Sequence, residues 1–124
     1  MGLTFTVLGC GSSGGVPRIG GVWGACDPSN PKNRRRRSGA LVERQGRGGT
    51  TRVLIDTSAD IREQLLEAKV DRLDAVLYTH DHADHTHGID DLRVLALAMK
   101  RRIDVHADAA TARALAQRFD YCFA

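Results

Sequence analysis

Four of the five histidines in the chain fall within one stretch, Tyr78-Thr79-His80-Asp81-His82-Ala83-Asp84-His85-Thr86-His87-Gly88. Side chains alternate between the two sides of an extended backbone, so His80, His82 and Asp84 can point the same way. Where the chain begins to coil, His85 lies one turn beyond His82. One loop can therefore present three imidazoles and a carboxylate together.

This set of groups predicts a metal site. Neutral imidazole and carboxylate groups suit zinc, and also manganese or iron. No cysteine is near in the sequence, which favours an open, catalytic type of site over a closed structural one. Adjacent Asp84 and His85 can bind one ion while His80 and His82 bind a second, as in a two-metal hydrolase. A solvated acidic loop with histidines by chance is the alternative, and the complete His-x-His-x-Asp-His pattern disfavours it.

The two remaining histidines have weaker assignments. His87 fits a residue that supports the ligands and an exposed polar residue equally well. His106 stands alone on a short predicted strand, which favours a structural role.

Hydrophobic patterns predict an α/β layer fold, with strands first and helices alternating with strands later. The predicted strands are residues 3–8, 40–43, 51–56, 73–79 and 103–106, with a hairpin loop over residues 45–49. The predicted helices are residues 59–69, with Ser58 as the N-cap, residues 88–102, and a third helix from about Asp108. Residues 9–33 are rich in Gly, Ser, Pro and Asn and predict a long loop, which is uncommon without a function.

The composition is that of one soluble globular domain, with 124 residues of which 42% are hydrophobic and 27% charged. Only 5% are aromatic, which argues against stacking on single-stranded nucleic acid. No apolar run approaches the roughly 20 residues of a membrane-spanning helix, and the N-terminus lacks a signal-peptide pattern. We therefore expect a cytoplasmic protein with no membrane partner. The three scattered cysteines are expected to be reduced.

Positive charge is concentrated in the first 50 residues. They hold eight Lys or Arg residues against two acids, whereas ten bases and thirteen acids follow. This asymmetry suggests an anionic partner for the basic part and cations for the acidic part. A run of arginines is ordinarily solvated, but guanidinium groups also bind phosphate well. The weaker candidates for binding substrate or RNA are therefore Arg34, Arg35, Arg36 and Arg37.

The motifs of the chain resemble those of the metallo-β-lactamase superfamily, whose signature is His-x-His-x-Asp-His after a strand. Besides residues 80–85, they are Leu8-Gly9-Cys10-Gly11-Ser12-Ser13-Gly14-Gly15-Val16-Pro17-Arg18, Asn33-Arg34-Arg35-Arg36-Arg37-Ser38, Leu54-Ile55-Asp56-Thr57 and His87-Gly88-Ile89-Asp90-Asp91-Leu92-Arg93. Together they resemble the branch that includes phosphoribosyl cyclic phosphate phosphodiesterase and, more distantly, tRNase Z. The resemblance runs from Leu3 to the C-terminus.

The resemblance implies a role for each residue of the site. His80 and His82 would bind the first of two divalent ions, and Asp84 and His85 the second. Zinc is the expected metal, with manganese or iron as alternatives. Asp84 would also be catalytic, because it would orient the attacking water. Asp56 and His87 would support the ligands, and a carboxylate at a strand end suits imidazole N–H groups that need an acceptor. For Asp56, a cap near the following helix is the competing interpretation.

The fold implied by the resemblance is the N-terminal half of an αββα sandwich, a mixed sheet with helices packed on one face. Members carry further ligands in a second half, so residues 1–124 are expected to form a single truncated domain. Its uncovered face predicts a homodimer. The expected function is hydrolysis of small cyclic or linear phosphodiesters by metal-activated water. The alternatives are a catalytically incomplete metal-binding fragment and a tRNase Z-like hydrolase that processes RNA 3' ends.

Overall fold

A computed structural model describes residues 2–124, and within them five strands form one mixed sheet in chain order. The strands are β1 (Gly2–Gly9), β2 (Gly39–Gly46), β3 (Gly49–Ile55), β4 (Ala75–Leu77) and β5 (Asp104–His106). The helices are α1 (Ile61–Glu67), α2 (Ala83–Thr86), α3 (Leu92–Met99) and α4 (Ala109–Arg118), and 3-10 turns cover Pro31–Asn33, His87–Asp91 and Asp120–Cys122. β1, β2 and β3 pair antiparallel, whereas β3, β4 and β5 pair parallel. This architecture confirms the predicted α/β class and the mixed sheet.

The core lies between one face of the sheet and the helices. Leu41, Leu54 and Val76 stand in one cross-strand row and are at most 1% exposed. The helices pack buried residues against this row, among them Ile61 from α1 and Leu115 from α4. Burial of one apolar face per element is what the alternating strands and the amphipathic helices predict.

The predicted hairpin loop over residues 45–49 is wrong, because the connection between β2 and β3 is shorter. Gly46 pairs with Gly49, so only Arg47 and Gly48 form the turn. Gly49 has φ at 119°, a conformation that a glycine adopts without steric cost. A tight turn is therefore available where the sequence suggested a longer one.

The helix boundaries also differ from the prediction. Residue 61, not 59, begins α1, because the Ser58 hydroxyl accepts the N–H of Asp60 at 3.1 Å in a turn before the helix. The predicted helix over residues 88–102 is three pieces, α2, a 3-10 turn and α3, which together begin five residues earlier, at Ala83. Lys100, with φ at 57°, ends α3. The predicted strand over residues 73–79 is shorter, since only Ala75–Leu77 pair as β4.

The other face of the sheet is apolar across four strands. Phe5, Val42, Val53 and Ala75 form one cross-strand row, and Val7, Ala40, Ile55 and Leu77 form the next. Phe5 and Val7 are 64% and 62% exposed, so little else in residues 2–124 covers this end of the face.

No helix among these residues is long and apolar enough to cross a membrane.

We expect two copies of the chain to associate through this face, because an apolar patch four strands wide is costly to leave in water. Phe5→Lys should shift the weight-average mass toward that of the monomer in sedimentation equilibrium. Ile19→Lys is the matched control, since Ile19 is fully exposed on the long loop and away from the sheet. A wild-type chain that stays monomeric at every concentration would contradict the prediction.

Candidate metal centre

The side chain of Asp56 lies at the centre of the site, directly after β3. Its backbone is left-handed, with φ at 62°, a region that aspartate tolerates better than most residues. The backbone N–H of Asp56 donates to the carbonyl of Leu77 at 2.8 Å, which ties this turn to the end of β4. Asp56 is only 4% exposed, and its carboxylate meets the segment that leaves β4.

Three hydrogen bonds end on the Asp56 carboxylate. Oδ1 accepts the backbone N–H of Thr79 at 2.7 Å, and Oδ2 accepts the Thr79 hydroxyl at 2.7 Å. The same Oδ2 lies 2.8 Å from Nδ1 of His85, and an ionised carboxylate only accepts, so this Nδ1 carries a proton. A buried carboxylate with three donors is well satisfied.

The Thr79 hydroxyl extends this arrangement to a second imidazole. Its oxygen lies 2.8 Å from Nδ1 of His80, and its one proton is already donated to Asp56. The hydroxyl must therefore accept from His80, so Nδ1 of His80 is protonated as well. In a neutral imidazole, a proton on Nδ1 leaves the Nε2 lone pair free, the form in which histidine binds a metal ion.

Residues 80–87, which we name the ligand loop, bring the four predicted ligands together. The ring centroid of His80 lies 4.6 Å from that of His82 and 4.2 Å from that of His85. Oδ2 of Asp84 lies 3.3 Å from Nε2 of His85, the nitrogen that carries the free lone pair. Asp84 and His85 are thus arranged as two neighbouring ligands of one ion would be.

One group of donor atoms at the site could hold a metal ion. One carboxylate oxygen of Asp56 and one ring nitrogen each of His80 and His85 lie within 4.8 Å of one another. Asp56 already accepts three hydrogen bonds, however, so its geometry favours orienting the imidazoles over binding the ion itself. The ligand set of His80, His82, Asp84 and His85 stays a prediction.

Thr57 and Tyr78 hold the ligand loop through hydrogen bonds, and the sequence analysis gave neither residue a role. The backbone N–H of Thr57 donates to His85 O at 2.9 Å, and its hydroxyl donates to Thr86 O at 3.1 Å. Burial raises the pKa of the Tyr78 hydroxyl well above its usual range, so this hydroxyl stays protonated and donates to the Thr57 hydroxyl at 2.9 Å. The position of Thr57 directly after Asp56 in a recognised motif was the one available signal.

Gly88 closes the loop at its other end. A Cβ at this position would lie 2.0 Å from the carbonyl oxygen of Ser58 and 2.7 Å from Cγ2 of Ile61. The backbone N–H of Gly88 donates to Thr57 O at 3.1 Å. Only glycine permits this close approach of the two backbones.

His87 lies apart from the three clustered imidazoles. Its ring meets Phe119 edge-on, with the centroids 5.7 Å apart. Within residues 2–124, no side-chain hydrogen bond joins His87 to the predicted ligands. The support that the sequence suggested for His87 is therefore a packing contact of the loop and not a hydrogen bond to a ligand.

The four arginines of the predicted phosphate-binding run divide into two pairs. Arg37 donates to both carboxylate oxygens of Asp60 at 2.8 Å, which lowers the pKa of Asp60 and raises that of Arg37. Arg36 pairs with Glu67. Arg34 and Arg35 are exposed and form no ion pair within residues 2–124. Only this second pair has guanidinium groups free to meet a phosphate.

Arg37 and the long loop lie close to the site. The negative charge of Asp84 adds to the effect of Asp60 in raising the pKa of Arg37. The backbones of Val16 and Arg35 exchange two hydrogen bonds of 3.0 and 2.8 Å. The glycine-rich loop therefore runs beside the arginines, and Arg37 is the member whose charge is coupled to Asp84.

Comparison with known proteins identifies relatives of this fold. A model of the beta-lactamase superfamily domain matches residues 51–124. The crystal structure of a diphosphatase from the PhnP family is 40% identical, with a TM-score of 0.83, over 98% of this chain and 47% of that one. Zn²⁺-bound PqqB from Methylobacterium extorquens is 21% identical, with a TM-score of 0.66, over 91% of this chain and 40% of that one. The metallo-beta-lactamase fold protein YhfI from Bacillus subtilis, also 21% identical, has a TM-score of 0.64 over 93% and 40%.

Curated relatives match over part of their length. An octanoyltransferase from Porphyromonas gingivalis is 38% identical over 117 residues, which are 94% of this chain and 23% of that protein. A ribonuclease Z from a Bradyrhizobium species is 39% identical over 79 residues, or 62% and 25%. The chain spans about a quarter of the length of these relatives and just under half of the diphosphatase.

The family model covers the strands and helices that carry the ligand loop, from residue 51 onward. The diphosphatase, at 40% identity, superimposes on nearly the whole chain. The chain therefore belongs to the beta-lactamase superfamily, and its sheet and helices have the metallo-beta-lactamase fold.

Proposed function

We propose that the chain belongs to a metal-dependent hydrolase that cleaves phosphodiester bonds of small cyclic or linear substrates. The observation that carries the proposal is the hydrogen bonding of the two imidazoles, His80 and His85. Their Nδ1 protons are held by Thr79 and Asp56, so both Nε2 lone pairs are free to bind a metal ion.

In this proposal each ligand pair would hold one divalent ion, with zinc preferred and manganese or iron as alternatives. When bound, the ions supply an activated water and a positive charge for the leaving oxygen. Asp84 holds a carboxylate beside Nε2 of His85, where it would orient the attacking water. Asp56 keeps both imidazoles in the tautomer that is protonated on Nδ1, which is the one that binds metal through Nε2.

The exposed arginines support an anionic substrate. Arg34 and Arg35 are exposed beside the glycine-rich loop, and guanidinium groups bind phosphate oxygens in pairs. Arg37 is already engaged by Asp60, so its role is to fix the loop and not to bind the substrate. A small anionic phosphodiester fits this arrangement, with an RNA 3' end as the larger alternative.

A phosphoanhydride is the second candidate substrate. The relative from the PhnP family, at 40% identity, is described as a diphosphatase. Attack on phosphorus by an activated water is common to both bonds, so the same ligands serve either reaction. The leaving group, an alcohol or a phosphate, distinguishes the two candidates.

We expect the chain with added Zn²⁺ or Mn²⁺ to hydrolyse bis(p-nitrophenyl) phosphate or a cyclic nucleotide, and to lose this activity in excess chelator. Cleavage of a nucleoside diphosphate alone would favour the second candidate, and cleavage of precursor tRNA would favour RNA processing. Two protein ligands per ion are fewer than the three that a catalytic zinc commonly has. Metal uptake without turnover of any substrate would therefore identify a catalytically incomplete metal-binding fragment and contradict activity of this chain.

A further inference from the structure

The C-terminal end of α4 reaches the ligand loop. Nη1 of Arg118 donates to the backbone carbonyl of Asp81 at 2.7 Å, and Nη2 donates to Oδ2 of the same residue at 3.0 Å. Asp81 lies between His80 and His82 in the sequence. One guanidinium thus holds both the backbone and the side chain at the middle of the His-x-His segment.

The arginine stands on a firmly anchored helix. Leu115 is fully buried and Thr111 is 5% exposed, so one face of α4 is part of the core. The carboxylate of Asp108 caps the helix by accepting the N–H of Thr111 at 2.7 Å. Phe119, directly after Arg118, packs against the core and against the ring of His87. The end of α4 therefore contacts the ligand loop near its start and at its end.

We propose that Arg118 is a positioning residue for the metal ligands His80 and His82. The ring centroids of His80 and His82 lie 4.6 Å apart, whereas the Asp81 side chain between them bonds to Arg118. By binding the Asp81 carboxylate, the Arg118 guanidinium therefore keeps both imidazoles directed to the site. Within residues 2–124, Arg118 is the only hydrogen-bond partner of Asp81.

Because the Arg118–Asp81 ion pair is exposed, its effect on metal binding can be distinguished from its effect on the stability of the fold. The side chains of Arg118 and Asp81 are 47% and 38% exposed, and ion pairs of this kind contribute little to the stability of a fold. Residues that orient metal ligands, by contrast, typically change metal affinity by about 10–100-fold when replaced. Loss of Arg118 should consequently weaken metal binding far more than it weakens the fold.

The test measures Co²⁺ and Zn²⁺ affinity by competition with a chromophoric chelator, in the full 124-residue chain. Arg118→Ala should bind about 10-fold more weakly or worse, and at saturating Co²⁺ its visible absorption spectrum should differ from that of the wild type. Its melting temperature should fall by no more than about 5 °C. Arg118→Lys offers one donor group without the planar fork, so its affinity should lie between the two.

Arg113→Ala is the matched control, since Arg113 is exposed on the same helix and has no ion pair within residues 2–124. It should leave both the affinity and the spectrum unchanged. The inference rests on the proposed metal site, and the two fail differently. A wild type that binds neither metal overturns both, whereas Arg118→Ala with wild-type affinity and spectrum overturns the positioning role alone.

Discussion

A chain carrying both His80→Ala and His82→Ala should lose its bound metal. The wild type is expected to retain about one or more zinc, manganese or iron ions per chain. The double variant removes two of the three neighbouring imidazoles. Because replacing residues that merely orient ligands costs about 10–100-fold in affinity, removing two ligands should cost more than about 100-fold. Elemental analysis of untagged protein after gel filtration measures the metal content directly.

The double variant should remain folded. His82 is exposed and His80 is half-buried, and neither belongs to the hydrophobic core. Far-ultraviolet circular dichroism should therefore be unchanged in the absence of metal. His106→Ala is the control, because His106 lies on β5 with an exposed side chain and pairs with β4 through its backbone. Equal metal content in the double variant and the wild type would exclude the ligand loop as the binding site.

Metal content, measured together with hydrolysis, distinguishes two states of the chain. If the wild type holds metal but hydrolyses nothing, the ligand loop assembles a site that lacks the groups for turnover. If it holds no metal, the two ligands available to each ion do not suffice on their own. The hydrogen bonds of His80 and His85, which leave Nε2 available, favour retention of the metal.

The local sequence predicted those parts of the fold that depend on neighbouring residues. Alternation in β1 predicted that strand correctly, and the third predicted helix, from about Asp108, matches the start of α4 at Ala109. Besides the local turn at Ser58, the start of α1 depends on a distant contact, because Arg37 engages the carboxylate of Asp60, 23 residues away. No pattern within residues 58–69 carries that information, so the boundary was misplaced.

In the candidate site, too, some features depend on neighbouring residues and others on distant contacts. The four predicted ligands lie within six consecutive residues, and their spacing is visible in the sequence. Thr79 looks like an ordinary strand residue, yet its hydroxyl joins Asp56 to His80. That role arises because β3 and β4 are parallel neighbours, so their ends meet at one edge of the sheet. Long-range pairing, which a single sequence does not reveal, therefore decides which residues orient the ligands.

Asp56→Asn should reverse the tautomers of two histidines with little change in the shape of the site. Asparagine is isosteric and tolerates the positive φ of this position. Its Oδ1 still accepts the N–H of Thr79, but an NH₂ group replaces the second oxygen. The NH₂ group donates to His85 Nδ1 and to the Thr79 hydroxyl, which then donates to His80. Both protons consequently move to Nε2, the atoms that would bind the metal.

We expect this substitution to weaken metal binding by about 10–100-fold while the chain stays folded. Nitrogen-15 correlation spectra of the metal-free protein at pH 8 distinguish the two tautomers and should show the reversal at His80 and His85. Asp56→Ala is the more disruptive comparison. It leaves the donors on Thr79 and His85 without an acceptor, and it places alanine, which has no side-chain acceptor, at a positive φ. It should destabilise the fold by roughly 2–4 kcal/mol in urea unfolding.

Affinity and tautomer together determine what Asp56 does. A loss of affinity with Nδ1 still protonated on both rings would contradict the orienting role. If Asp56 instead capped α1, the substitution would change helix stability and leave the metal affinity intact. Only an orienting carboxylate predicts that the loss of affinity and the reversal of both tautomers occur together, because one acceptor oxygen fixes His85 directly and His80 through Thr79.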